Sequence, residues 1–215
     1  MTVCKLHRPL RAGVIFVVMV VAVNGQSALM AEDSDSTPGE TPRYAEDGSL
    51  RRPDRFRDWV FVGASLGLSY SPHKSEYGDQ FFHNVYLDRK SYEYYERTGE
   101  FPEKAMLAMS VYTQADKAEG LTKLQGSFEG EFVSLEVAVK DSERFEDGWA
   151  YFDFSGGDSE KETARPFARE KCFDCHAEHA ADDNVFVQYY PVLRRLKAAW
   201  EKGAHSTSNS NGGTE

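Results

Sequence analysis

The residues with the clearest chemistry lie near the end of the chain, where positions 171–176 read Lys-Cys-Phe-Asp-Cys-His. Two residues separate the thiols of Cys172 and Cys175, and His176 follows directly. Thiols at this spacing can each add to a vinyl group on one edge of a porphyrin, and the adjacent imidazole can then bind the iron. The motif predicts one covalently bound haem c, with Cys172 and Cys175 as the thioether residues and His176 as the axial ligand.

Three other uses of these residues stay open from the sequence. The two cysteines can form a short disulfide, or they can act as a thioredoxin-like redox pair. A redox pair is expected in a βαβ setting, and none surrounds this motif. The cysteines can also bind zinc with His176 and His179, although adjacent ligands crowd a tetrahedral site. The position of the motif favours haem.

The first 31 residues have the pattern of an export signal. Lys5, Arg8 and Arg11 precede an apolar run of 12 residues from Ala12 to Val23, and small residues follow. The run is short for a bilayer span, so it predicts a cleaved signal peptide over residues 1–31 rather than an uncleaved anchor. The mature protein is then expected in the periplasm, free of the membrane, where bacteria attach c-type haem.

The chain is acidic, with a formal net charge of −10. Loss of the three basic residues of the signal brings this to −13. A strongly acidic exported protein is a poor candidate for binding nucleic acid or anionic lipid, because both repel it. The charge favours solubility and is compatible with a basic redox partner.

Composition divides the remainder of the chain. Residues 32–54 are rich in Asp, Glu, Ser, Thr, Pro and Gly, and residues 203–215 are similarly polar. Such segments bury too little apolar surface to offset the entropy of ordering, so both are predicted to be disordered, one as a linker and one as a tail. A single folded domain is expected over residues 55–202.

Alternating apolar and polar residues predict antiparallel strands in that domain. The expected strands lie near residues 58–63, 81–87, 105–113, 126–140 and 149–154, with a bulge near Gly130. Helices are predicted at 91–98, with Asp88 as N-cap and Gly99 as the stop, at 164–179, and at 185–200, kinked or begun at Pro191. The fold class is α+β, a β-meander packed by a few helices.

These blocks, in this order, resemble the cytochrome P-460 family and its relatives, the cytochromes c′-beta. The resemblance extends from about Arg55 to Arg194. The matching blocks are residues 58–63 (DWVFVG), 84–88 (NVYLD), 95–101 (YERTGEF), 130–141 (GEFVSLEVAVKD), 148–150 (GWA) and 172–194, which contains VFVQYYPVLR.

The resemblance implies an antiparallel sheet with helices, a homodimer, and one c-type haem with histidine on one side and an open position on the other. Family members of the P-460 type oxidise hydroxylamine and carry an additional bond from a lysine to the haem. Their c′-beta relatives lack that bond, have an apolar distal side, and bind nitric oxide or carbon monoxide.

Met109 occupies the position that corresponds to the crosslinking lysine, and Ser110 follows it. Methionine has no amine, so the resemblance predicts that the lysine–haem bond is missing and leaves hydroxylamine oxidation open. Lys104, Lys117 and Lys123 are close in sequence but do not match the position. Met109 can be a core residue, line the haem edge, or serve as a sixth iron ligand.

Glu136 matches the distal glutamate of the family. Strand alternation predicts that it shares a face with Phe132 and Ser134, and a carboxylate near the iron can accept a proton from a bound ligand. The alternative is a glutamate on the solvent face of the strand. His83 is expected either to line the haem cavity or to face solvent. The aromatic residues expected among the pocket walls are Phe81, Phe82, Phe128 and Phe132.

The expected function is that of an exported monohaem cytochrome that binds or oxidises small nitrogen species, such as nitric oxide or hydroxylamine, at an open iron position. A partner cytochrome is expected to exchange electrons with it. Two alternatives stay open: an electron carrier with a filled sixth position, and a gas-binding protein without turnover. Coordination distinguishes the carrier, because carriers fill both axial positions.

Overall fold

The computed structural model describes residues 41–68, 80–115, 126–156 and 161–209. The signal-peptide prediction for residues 1–31 lies outside this part of the chain, as do Lys117 and Lys123. Of the helices in the described part, none combines the length and hydrophobicity that a membrane span requires.

A five-stranded antiparallel sheet with helices around it confirms the α+β prediction. The strands are β1 (Leu50–Arg51), β2 (Val60–Leu66), β3 (Phe82–Leu87), β4 (Met106–Ala115), β5 (Phe128–Lys140), β6 (Trp149–Asp153) and β7 (Thr163–Ala164). The helices are α1 (Arg89–Thr98), α2 (Phe173–His179) and α3 (Pro191–Asn209), with short 3-10 helices at Phe56–Asp58, Arg169–Lys171 and Val187–Tyr189. Strands β2 to β6 are adjacent in chain order, which is the predicted meander, and β1 pairs with β7.

The sheet has two covered faces. The face that packs against the three helices is called the helix face, and its buried residues include Val85, Leu87, Leu107, Trp149 and Tyr151, with Tyr95, Phe173 and Leu193 from the helices. The opposite face is called the N-terminal face, and its buried residues include Ala108, Leu135, Val137 and Phe152, with Leu50, Phe56 and Trp59. Burial on both sides explains why the central strands carry apolar residues at most positions.

Local sequence sets the bounds of α1. Asp88 caps its N-terminus by accepting a hydrogen bond from the Ser91 amide at 2.9 Å, and Gly99 ends the helix with a φ of 73°. The second carboxylate oxygen of Asp88 accepts from the Met106 amide at 2.8 Å, which fixes α1 to the start of β4. The predicted cap and stop are therefore confirmed.

The start of α3 at Pro191 also confirms one of the sequence options. Gly63 on β2 permits its close approach, since a Cβ there would lie 3.0 Å from Pro191 Cδ. The helix extends to Asn209, so the prediction of a disordered tail from residue 203 is wrong for its first seven residues. The helix predicted at 164–179 is shorter than expected, because Ala164 belongs to β7 and α2 begins at Phe173.

The predicted linker over residues 32–54 is wrong for residues 41–54. Leu50 is fully buried, and its strand pairs with β7. The Tyr44 ring packs against Phe145, and its hydroxyl donates to Asp141 at 3.3 Å. The prediction used the average composition of the segment, which is polar. It therefore overlooked Leu50 and Tyr44, the apolar side chains that pack on the N-terminal face.

A bulge in β5 reverses the expected alternation. Phe132 pairs with Tyr112 and Ser134 pairs with Val111, so Val133 is an extra residue, and a second irregularity follows near Gly130. Phe132 therefore lies on the N-terminal face, where its ring contacts Tyr112 at 5.5 Å between centroids. The prediction that Phe132 shares a face with Ser134 and Glu136 is wrong, because an inserted residue moves the side chains beyond it to the opposite face.

Replacement of Asp88 by alanine tests the link between α1 and β4. We expect Asp88→Ala to lower the free energy of unfolding by about 2–4 kcal/mol, because a helix cap is lost and a buried amide loses its acceptor. Chemical denaturation of the haem-loaded protein measures this. Asp54→Ala, which removes an aspartate 62 % exposed in a surface ion pair, is the control and is expected to change stability by less than about 0.5 kcal/mol. Equal effects of the two substitutions would contradict the account.

Candidate haem site

The two cysteines lie at the start of α2 and one turn into it. Cys172 precedes the helix and is partly buried, whereas Cys175 is exposed, and both thiols are free. Burial raises the pKa of the Cys172 thiol, and the negative charge of Glu136 adds to the shift. Both sulfur atoms are therefore present as separate thiols on adjacent turns, as thioether attachment requires.

His176 is held through one ring nitrogen. Its Nδ1 lies 2.8 Å from the carbonyl oxygen of Asn184. Because a carbonyl only accepts hydrogen bonds, Nδ1 must carry the proton, and Nε2 keeps its lone pair for a metal. Burial lowers the pKa of His176, although the bond to Asn184 opposes this shift, so the neutral form that binds iron is favoured.

Two aromatic rings fix the plane of this imidazole. Tyr151 on β6 and Phe186 lie 4.3 and 4.5 Å from it, between ring centroids. The Tyr151 hydroxyl also donates to the Asn184 carbonyl at 3.1 Å. One backbone oxygen thus accepts from both the imidazole and the strand residue that packs against it.

The turn that contains this carbonyl has unusual backbone conformations. Asp183 and Asn184 have φ values of 41° and 59°, in the left-handed region that Asp and Asn tolerate better than other residues with side chains. Asp183 anchors the turn to the sheet, because its carboxylate accepts from Trp149 Nε1 at 3.1 Å and from Lys140 Nζ at 2.7 Å. The turn is therefore fixed to β5 and β6.

Asp182 anchors the same turn to the helices. Its carboxylate accepts from the Tyr95 hydroxyl of α1 at 2.6 Å and lies 3.4 Å from Lys197 Nζ of α3. Tyr95 is fully buried, and burial together with Asp182 raises its pKa. The turn from 182 to 184 is thus connected to two strands and two helices, and it transmits their positions to His176.

Met109 and Glu136 are brought together by the sheet. They lie directly opposite each other on β4 and β5, and Asp153 on β6 is opposite Glu136. Met109 packs, partly buried, against the helix-face core, so this row of side chains faces the helices. The sequence separates Met109 and Glu136 by 27 positions, and only the register places them side by side.

Glu136 is partly buried, which does not fit a solvent-face glutamate. Burial is the main reason that its pKa is raised, and the Asp153 carboxylate contributes, whereas Lys171 opposes the shift. The charge of Lys171 acts on Glu136, and the charge of Glu136 acts on Cys172, so the carboxylate lies near the segment that carries the motif. Its proton-transfer role stays a prediction.

His83 is buried, with 6 % of its surface exposed, so the solvent-face option is wrong. Burial lowers its pKa, and the Phe81 carbonyl opposes that shift. Within residues 41–68, 80–115, 126–156 and 161–209, no donor or acceptor has full hydrogen-bonding geometry with Nδ1. His83 pairs with Val111, one row of side chains beyond Met109 on the same face.

Several other expectations are not met at this site. Phe82, which was expected among the pocket walls, pairs with Tyr112. It lies with Tyr112 and Phe132 on the N-terminal face, opposite to Glu136. Phe128 is 39 % exposed. Among the described residues, no three His, Cys, Asp or Glu side chains are placed to hold a metal ion, so the zinc site with His179 is not assembled there.

Sequence reasoning missed the residues that orient His176. Tyr151 and Phe186 are aromatic residues with no motif, and Asn184 acts through its backbone carbonyl. The aromatic alternation in β6 was a signal for Tyr151. No sequence pattern identifies a backbone acceptor, because every residue carries the same main-chain carbonyl whatever its side chain is.

The side chains present fit a haem. The donor set comprises two free thiols, an imidazole whose Nε2 retains a lone pair, and surrounding aromatic rings. Cys172, Cys175 and His176 are the residues that would hold the group. Bound there, the haem would supply an iron centre that binds small ligands and exchanges electrons.

The raised pKa of Glu136 has a consequence for stability. A carboxyl group with a higher pKa in the folded state binds protons more tightly there, so it reduces stability as pH rises. As the pH rises from 4.5, the ordinary pKa of the carboxyl, to its raised pKa in the folded state, the wild type should lose free energy of unfolding relative to Glu136→Gln. Above that pH range the difference between the two proteins should stay constant.

Denaturation of haem-loaded wild type and Glu136→Gln across this pH range measures the difference. Glu131→Gln is the matched control, because it removes a carboxylate from an exposed part of the same strand. A difference for Glu136→Gln that is flat, or that favours the wild type as pH rises, would refute the assignment. An equal pH-dependent difference for Glu131→Gln would do the same.

Comparison with known proteins gives the family. A model of the family described as Cytochrome P460 matches residues 53–187, which is more than half of the chain. A comparison with curated protein sequences finds no match. The match confirms the resemblance drawn from the sequence blocks and implies a haem cofactor. The chain belongs to the cytochrome P460 family.

Proposed function

We propose that the protein is an exported monohaem c-type cytochrome that binds or oxidises small nitrogen species, such as nitric oxide and hydroxylamine, at an open iron position. The observation that carries this proposal is the arrangement around the motif. His176 offers one nitrogen for iron, and the facing strand presents Glu136 with its raised pKa. A carrier of electrons needs no partly buried proton acceptor beside its haem, whereas a site that oxidises N–H or O–H bonds does.

Covalent attachment is part of the proposal. The S–H groups of Cys172 and Cys175 would each add across one vinyl double bond, so that no atom is lost and two thioethers form. Both thiols are free to react. The exported location supports this chemistry, and the N-terminal sequence pattern supports the exported location.

Glu136 would act as the base when hydroxylamine is oxidised. Conversion of hydroxylamine to nitric oxide removes three electrons and three protons. The electrons pass to an external oxidant, which we take to be a partner cytochrome, and Glu136 accepts protons and releases them to solvent. A carboxylate whose pKa is raised by burial suits this role, because it is a stronger base than an exposed glutamate.

Met109 distinguishes this chain from lysine-crosslinked members of the family. It lies where the crosslinking lysine is expected from the resemblance, and it faces the helices beside Glu136. A thioether cannot form the nitrogen–porphyrin bond, so we propose a haem attached through Cys172 and Cys175 alone. The family's homodimer is retained in the proposal, and the exposure of Phe61 and Leu66 on edge strand β2, 48 % and 47 %, supports it.

A second candidate function is electron transfer with a filled sixth position. The observation that favours it is the partly buried Met109 on the face that carries Glu136, because a methionine thioether is a sixth ligand in many electron carriers. A gas binder without turnover is the third, and it shares the open position with the enzyme. Turnover of hydroxylamine distinguishes the enzyme from the gas binder.

The attachment of the haem is tested by mass spectrometry of haem peptides. We expect the haem on one peptide, joined only to Cys172 and Cys175, because Met109 offers no amine. Digestion of the purified haem-loaded protein, with detection of haem-containing fragments, provides the measurement. A haem fragment that also contains a residue from the 104–123 region would overturn the prediction.

The role of Glu136 is tested by hydroxylamine-dependent reduction of a soluble c-type cytochrome. We expect Glu136→Gln to lower the turnover rate by about 100-fold or more, since general bases contribute on this scale. Nitric oxide affinity should change much less, because binding transfers no proton. The control Glu131→Gln should match the wild type.

Equal turnover in the wild type and Glu136→Gln would reject Glu136 as the base. No turnover in the wild type, together with tight nitric oxide binding, would leave the gas-binding function in place of the enzyme.

A further inference from the structure

We infer that His83 contacts, through Nδ1, the small ligand that binds at the open iron position, which makes it a second polar residue of that side of the site. This inference rests on the proposed function and extends it, because it specifies a ligand with hydrogen-bonding atoms. A polar His83 beside the ligand would also distinguish this chain from relatives in which the side of the haem that binds the ligand is apolar.

The state of the His83 side chain is the first argument. Only 6 % of the residue is exposed, and Nδ1 has no partner at hydrogen-bonding distance and angle among the residues that the structure describes, although the Phe81 carbonyl is close enough to act on the ring. Nearly all buried polar atoms in native proteins are paired, so a ring nitrogen without a partner in the described part of the chain can accept one more hydrogen-bonding group. A ligand in the adjacent space would provide one.

The direction of the side chain is the second argument. Residues alternate between the two faces along a strand. Val85 and Leu87, the next two alternate residues of β3, pack in the helix-face core. His83 therefore lies on the helix face, on the same side of the sheet as Met109 and Glu136.

The order of the rows across the sheet is the third argument. Tyr151, which contacts the His176 ring, pairs with Ala138. Two residues further along β5, Glu136 forms the next row with Met109.

Two residues beyond Glu136, Ser134 pairs with Val111, and Val111 pairs with His83. Successive rows are about 7 Å apart, from the rise per residue in a strand. The Glu136 row thus separates the row that contacts the axial histidine from the row of His83. A ligand that faces Glu136 on the side remote from His176 has His83 and Ser134 as its next neighbours on the sheet.

The chemistry of this row fits small N–O species. Burial lowers the pKa of His83, so its ring is neutral and Nδ1 either donates or accepts a hydrogen bond, according to the tautomer. Ser134, which is 7 % exposed, adds a hydroxyl with the same freedom. Hydroxylamine offers both donors and acceptors, and nitric oxide offers acceptors.

Infrared spectroscopy of the ferrous haem-loaded protein with carbon monoxide tests the inference without measuring activity. The C–O stretching band responds to a hydrogen-bonding group beside the bound gas. We expect the band to move in His83→Leu relative to the wild type. Movement to higher frequency would mean that Nδ1 donates in the wild type, and movement to lower frequency that it accepts.

Two further variants make the test specific. His83→Gln keeps a side chain that can hydrogen-bond, so its band should lie closer to that of the wild type than the band of His83→Leu does. If His83→Leu does not fold, His83→Phe, which keeps a ring but cannot hydrogen-bond, provides the test. Ser110→Ala is the matched control: Ser110 is fully buried, but it follows Met109 in β4 and lies on the opposite face of the sheet. Its band should not move.

Three outcomes would overturn the inference. The same carbon monoxide band in the wild type and in the apolar His83 variant would refute the contact and leave the proposed function intact. The wild-type iron could be six-coordinate and become five-coordinate in His83→Leu, which makes His83 an iron ligand instead. Finally, a wild type that takes up no carbon monoxide, and whose coordination is unchanged in His83→Leu, would reject the open site itself and the inference with it.

Discussion

The hydrogen bond from His176 Nδ1 to the Asn184 carbonyl is the interaction on which the site depends. It selects the tautomer that leaves Nε2 free for iron, and it sets the direction of the imidazole. A backbone acceptor is only as well placed as the turn that carries it. The fold meets this requirement by attaching the turn to α1 and α3 through Asp182, and to β5 and β6 through Asp183.

That constraint makes the sheet part of the site. Helix α2 has only seven residues and is too short to be stable alone. Its histidine is oriented by Tyr151 from β6 and by the turn that follows α2. The sheet that orients this histidine also places Met109 and Glu136 on the face that packs against the helices. Positioning of the ligand and composition of the opposite side are therefore properties of one sheet.

The sequence predicted what depends on local pattern. The strands, the Asp88 cap and the motif residues follow from alternation, from capping chemistry and from thiol spacing, all of which are readable over a few residues. The Val133 bulge is not readable in this way, and it places Phe132 on the other face. The docking of residues 41–54 was missed because Leu50 needs a groove formed by distant residues.

The site shows the same division. Cys172, Cys175 and His176 were predicted from their types and spacing, and the family resemblance singled out Met109 and Glu136 separately. Their contact across two strands required the register. The partner of His176 is a main-chain oxygen, and the burial of His83 is a property of packing, so neither is encoded in residue type.

The central claim is that iron is bound by His176 on one side and is open on the other. The optical spectrum of the purified ferrous protein, recorded with and without nitric oxide, tests it most directly. The account predicts a five-coordinate ferrous spectrum that shifts when the gas is added. A six-coordinate low-spin spectrum that nitric oxide leaves unchanged would contradict it and would point to a side chain, Met109 first, as the sixth ligand.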